Sequence, residues 1–179
     1  MKKYELTEET VTVFGKTLYR IRAVRDFGSV KTGEFGGYIE KEENLSHFGD
    51  AWVYDDAEVS GNAEVCGDAW VCGDAKVYGD AWVSGNAWIY GDAEVSGNAW
   101  VCNTRHFFVQ GPIGSRDGYV TFYRTKDDTI GVRCGCFSGS LQKFVDRVEE
   151  THGGSRYEKE YKLAAELAKV CIRLEGESR

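Results

Sequence analysis

Residues Gly49–Cys102 read GDAWVY DDAEVS GNAEVC GDAWVC GDAKVY GDAWVS GNAWIY GDAEVS GNAWVC, nine six-residue units without a gap. Self-similarity of this kind decides architecture before any local reading. Within each unit, Ala and Val (Ile at position 89) alternate with polar or aromatic residues, the period-two pattern of a strand with one buried face. Each short strand is followed by Gly-Asp or Gly-Asn, residues that tolerate the left-handed backbone of a sharp turn. Strands this short, bent every six residues, do not make hairpins. They coil, with Ala and Val stacked inside a narrow prism. Helical solenoid and leucine-rich repeats need longer units, and pentapeptide coils have the wrong period. The spacing therefore predicts a mainly β protein built on a parallel β-helix of about three to four coils, three units to a coil.

If units three apart are vertical neighbours, the outward residues sort into three faces. The first carries Trp52, Trp70 and Trp88 beside Tyr54, Cys72 and Tyr90; the second Glu58, Lys76 and Glu94 beside Ser60, Tyr78 and Ser96; the third Glu64, Trp82 and Trp100 beside Cys66, Ser84 and Cys102. The second face suits water. The Trp/Tyr ladder of the first is larger than a monomer usually exposes. Three covers are open to it: the chain's own C-terminal region, a second copy or protein partner, or a ligand. Trp52, Trp70, Trp88, Tyr54 and Tyr90, with Trp82 and Trp100, are the candidate interface residues.

Working outward, residues 10–24 read as two strands around Gly15, and Gly37–Phe48 as two worn repeat units. The expected organisation is an N-terminal β cap over 1–36, the coil over 37–102, and a C-terminal ββαα unit over 103–179. In that unit Tyr119–Arg124 and Ile130–Phe137 form a hairpin. One helix spans about Leu141–Thr151 and a second runs from a Ser155/Glu158 capping box to about Leu174.

Period six resembles the hexapeptide-repeat superfamily, and that resemblance implies a left-handed coil. The strings IRAVRDFG, GGYIEKEENLS, GDAWVYDDAEVSGNA, IGSR, TFYRTKD, VRCGCFSGSL and ETHG are similar to uncharacterised hexapeptide-repeat proteins of phages and prophages. This likeness covers nearly the whole chain. It implies a phage-linked setting, trimeric or dimeric packing through coil faces, and a role such as inhibition of a host defence protein. It brings no established activity.

Charge separates the regions. Residues 49–102 carry one basic and ten acidic side chains, whereas residues 103–179 carry thirteen basic and eleven acidic. An acidic coil repels phosphates, which argues against nucleic acid as its partner. No stretch approaches a membrane span and no apolar leader follows Lys2-Lys3, so the expected setting is cytoplasmic. The six cysteines then read as reduced thiols.

Candidate chemistry is sparse. Hexapeptide-type acyltransferases use a His base between subunits; His106, just after the last coil, is the candidate here. The coil proper has no His, which excludes the three-His zinc site of the γ-class carbonic anhydrases. Cys134-Gly-Cys136 lacks zinc-site spacing, and no metal or cofactor is called for. The loop Gly111–Gly118 offers close backbone approach, the Ser115 hydroxyl and the Arg116 guanidinium. With Arg124 and Arg133 on the following hairpin it forms a candidate anion site, which would suit a nucleotide signal. The sequence thus points to a non-catalytic binding or assembly protein, with a nucleotide-sequestering protein and an acyltransferase as rivals.

Overall fold

The computed structural model describes residues 2–175. Its centre is the coil. Nine two-residue strands follow one another: β4 (Trp52–Val53), β5 (Glu58–Val59), β6 (Glu64–Val65), β7 (Trp70–Val71), β8 (Lys76–Val77), β9 (Trp82–Val83), β10 (Trp88–Ile89), β11 (Glu94–Val95) and β12 (Trp100–Val101). They stack in parallel as β4-β7-β10, β5-β8-β11 and β6-β9-β12, with Trp70 in register with both Trp52 and Trp88. Units three apart are vertical neighbours, as the period requires. Every Ala and Val of the repeat points inward and is buried. The ladder has one polarity: the N–H of Trp52 donates to the Ala69 carbonyl (3.0 Å) and that of Trp70 to the Ala87 carbonyl (2.9 Å), always towards the next coil down.

The corners explain the glycine that opens eight of the nine units. Gly85 has φ +59°, and a Cβ added there would lie 2.1 Å from the Cys102 carbonyl oxygen. Both the left-handed backbone and the closeness of the next coil exclude a side chain. Where Asp55 replaces glycine, it adopts φ +52° and its carboxylate accepts the Gly73 N–H from the coil below (3.1 Å).

An N-terminal hairpin, β1 (Tyr4–Val13) and β2 (Lys16–Ala23), leads to β3 (Phe35–Ile39). Strand β3 lies antiparallel to β2 and parallel to β5, so one sheet runs β1-β2-β3-β5-β8-β11. Leu45 bridges to Val65. The two worn repeats thus add the expected partial coil, and the cap continues the second face upward and shares the coil's core through Tyr4, Ile21, Phe27 and Val30.

The C-terminal region contains four antiparallel strands in the order β13 (Phe107–Ile113), β14 (Gly118–Arg124), β15 (Ile130–Cys134), β16 (Phe137–Ser140). The expected hairpin is their centre. The segment read as a loop from Gly111 is still strand through Ile113. Gly135, at φ +54°, makes a two-residue turn that folds Phe137–Ser140 back as a separate strand. Helices α1 (Leu141–His152) and α2 (Arg156–Cys171) pack on one face of this sheet, around Phe122, Val132, Phe144 and Ala168. Phe107 and Tyr123 belong instead to the coil's core and close its lower end. Ser155 caps α2 as expected, accepting the Glu158 N–H (3.4 Å), but the Glu158 carboxylate takes the Gly154 N–H rather than that of Ser155.

Candidate functional site

A coil whose N–H groups all point down and carbonyls all point up ends in two unlike edges. The upper edge needs donors. Lys3, wholly buried, supplies one, its Nζ donating to the Ala51 carbonyl (2.7 Å) while lying over the Phe27 ring. Asn44 supplies another, its amide donating to the Ala63 carbonyl (2.8 Å). Burial pushes the Lys3 ammonium down to about 8. The lower edge needs acceptors. Thr121 Oγ1 accepts the Glu94 N–H (3.0 Å), and His106 Nδ1 accepts the Cys102 N–H (3.2 Å).

This is where the candidate base stands. His106 is buried, its Nδ1 lone pair is spent on the coil edge, and Nε2 lies 3.0 Å from the Asn103 amide nitrogen. Burial, then the nearby Arg124, holds its pKa below the ordinary imidazole value. Its geometry is that of an edge cap: with Nδ1 accepting, Nε2 carries the ring proton and no lone pair remains to act as a base.

The aromatic residues divide. Trp52 is wholly buried beneath Phe27 and Tyr4, at ring distances of 5.2 and 6.1 Å. It is therefore not available to an interface, contrary to the expectation from its face. Below it the ladder emerges: Tyr54 against Trp70 (5.3 Å), Trp70 against Trp88 (6.3 Å), Trp88 against Tyr90 (5.8 Å) and Tyr90 against Phe107 (5.6 Å). Trp70, Trp88 and Tyr90 are 37, 49 and 46% exposed. The C-terminal helices pack on their own sheet, and among the described residues they do not cover this face. On the third face Trp82 and Trp100 stack on each other, 5.4 Å apart and nearly parallel, and are half-buried.

Of the four candidate anion-binding residues, Ser115, Arg116 and Arg133 line one cleft and Arg124 does not. Ser115 and Arg116 are exposed at the turn between β13 and β14. Arg133 lines the same cleft as they do, but its Nε is paired with Glu94 (2.7 Å), whose carboxylate also accepts the Tyr78 hydroxyl (3.0 Å). That pair clamps the C-terminal sheet to the coil. Arg124 leaves the opposite face of the sheet. Arg133 is in register with Thr121, three residues from Arg124, and alternation along a strand sends the two apart. Arg124 is buried and paired with Asp128 (2.6 Å) and Glu175 (2.7 Å).

The cleft itself, about 960 Å³, opens between the turn of Ser115 and Arg116, the Gly135-Cys136 turn, helix α1 and the acidic corner of the last coil. Its α1 wall, Arg147 and His152, was not read from the sequence. Nor was Tyr161, which α2 contributes. Tyr161 packs on His152 and Phe144, with ring centroids 5.7 Å apart in each case. Burial and the adjacent Cys134 push its hydroxyl up to about 12. A second unread feature is the outer stripe of α2, where Leu163, Leu167 and Val170 are exposed at helical spacing.

No group of three or more His, Cys, Asp or Glu side chains among the described residues is arranged to hold a metal ion, and no described helix is long and apolar enough to cross a membrane. No protein-family model matches this chain, and no curated protein does.

Proposed function

We propose that the protein is a non-catalytic binding and assembly protein. Its β-helix is a rigid scaffold, and its first face meets a second copy of the chain in a dimer or trimer. The observation that carries this reading is the exposed run of Trp70, Trp88 and Tyr90. Aromatic side chains held on a flat, stacked face supply large contact area with little conformational entropy to lose, and such residues are enriched where proteins meet. The outward residues of this face in the coil carry no charge, while acidic columns flank it, with Asp50 and Asp68 on one side and Asp56, Asp74 and Asp92 on the other. Two such faces attract through their rings and repel through their borders, so association tightens as salt screens the acids.

The resemblance to phage and prophage hexapeptide-repeat proteins supports the same reading. It adds a cytoplasmic setting in a host cell and a host defence protein as the kind of target the assembly would engage. Light scattering tests the assembly. The wild type is expected at two or three times the monomer mass, rising with salt, and Trp88→Glu at monomer mass with an unchanged far-UV spectrum. A wild-type monomer at all salt concentrations, or a Trp88→Glu oligomer, contradicts the proposal.

A further inference from the structure

We infer that the cleft between the C-terminal sheet and helix α1 binds a small phosphomonoester attached to a planar ring, a ligand of nucleoside monophosphate chemistry, independently of assembly through the Trp face. At about 960 Å³ the cleft is of the size that encloses such molecules. Its lining carries three arginines, Arg116, Arg133 and Arg147, against two carboxylates, Asp92 and Glu94. At the coil end Glu94 is neutralised by Arg133, leaving Asp92 to repel an anion. Arg116, Arg147 and His152 also line the cleft. Arg116 is exposed and makes no ion pair among the described residues, and Arg147 has only a loose contact with Glu150 at 3.6 Å, both side chains being about two-thirds exposed or more. The imidazole of His152 has ring neighbours, Tyr157 and Tyr161, and no hydrogen-bond partner among the described residues. Two guanidinium groups without firm partners are suited to a phosphate, whose oxygens accept paired N–H bonds.

The ring half of the ligand follows from the aromatic part of the lining. Tyr119, Phe137 and Tyr161 all line the cleft, and Tyr119 is 41% exposed. Aromatic faces beside a cationic pocket favour a flat, polarisable group joined to an anion over either part alone. The position of Arg116 is set by packing. A Cβ on Gly114 would lie 2.0 Å from the Tyr161 hydroxyl oxygen, and the Gly114 N–H donates to Glu160 (2.9 Å). Both contacts seat the turn that carries Arg116 against α2.

Calorimetry on the full chain tests the assignment, using the four common ribonucleoside 5′-monophosphates, the corresponding uncharged nucleosides and inorganic phosphate as probes. At least one monophosphate is expected to bind at least tenfold more tightly than its nucleoside and than phosphate. Arg116→Gln and Arg147→Gln should each weaken it tenfold or more, and Arg124→Gln, which does not line the cleft, should leave it unchanged. Binding by none of the four monophosphates overturns the inference. So does phosphate binding as tightly as any nucleotide, or affinity that survives both cleft substitutions. Trp88→Glu serves as the control: it is expected to bind as wild type does, and loss of binding in that variant also overturns the inference, because the cleft would then depend on assembly.

Discussion

At the scale of the residue, the most consequential side chains are those that stand in for a missing coil. His106 does so with a lone pair, which only the neutral ring offers, so its role carries a pH signature. Its folded pKa lies below the ordinary 6.5 through burial, then Arg124. As pH falls through 6.5 the unfolded chain takes up the proton first, and stability declines until the folded imidazole is protonated as well. Urea unfolding at pH 7.5 and 5.5 should show the wild type losing stability between the two, with a smaller loss in His106→Gln. His106→Phe, which strands the Cys102 N–H, should cost about 1–3 kcal/mol at pH 7.5. A wild type and His106→Gln with the same pH dependence would remove the capping role. Lys3 makes the corresponding contribution at the other end, where carbonyls rather than N–H groups need partners.

At the scale of the element, the C-terminal sheet serves two layers at once, giving Phe122 and Val132 to the helices and Tyr123 to the coil. Tyr123→Ala should therefore act as a coil mutation: a loss of about 3–5 kcal/mol, as for other buried aromatic truncations, with concentration-dependent aggregation from the opened lower edge. Chemical unfolding and light scattering measure both, and a loss under about 1 kcal/mol would mean that the sheet does not close the coil. The coil was legible in the sequence because its period is uninterrupted and each unit carries its own turn. Strand β16 was not, since Phe-Ser-Gly-Ser has little apolar alternation and the Gly135-Cys136 turn before it passes for the end of a longer strand. The separation of Arg124 from the other candidate anion-binding residues has a related reason: Arg124 and Arg133 are near in register, but the pleat sends them to opposite faces, and the acid that pairs with Arg133 lies on a coil 39 residues earlier.

At the scale of the whole molecule, a stack of coils has two ends and three faces, and this chain treats them differently. Both ends are covered, by the hairpin and Lys3 above and by Phe107, Tyr123, Thr121 and His106 below. One face is extended by the N-terminal strands, and the first is covered only at its top. That partial cover was not legible, because it comes from Phe27 and Tyr4, which belong to no repeat. What remains bare is a band from Trp70 to Tyr90, and the central claim is that a second copy of the chain closes it. Hydroxyl-radical footprinting read by mass spectrometry, over a concentration series, tests that claim residue by residue. Trp52 is expected to stay unlabelled at every concentration, while Trp70 and Trp88 are labelled in dilute protein and protected as concentration rises. Trp70 and Trp88 labelled to the same extent throughout, or Trp52 labelled as strongly as they are, would contradict it.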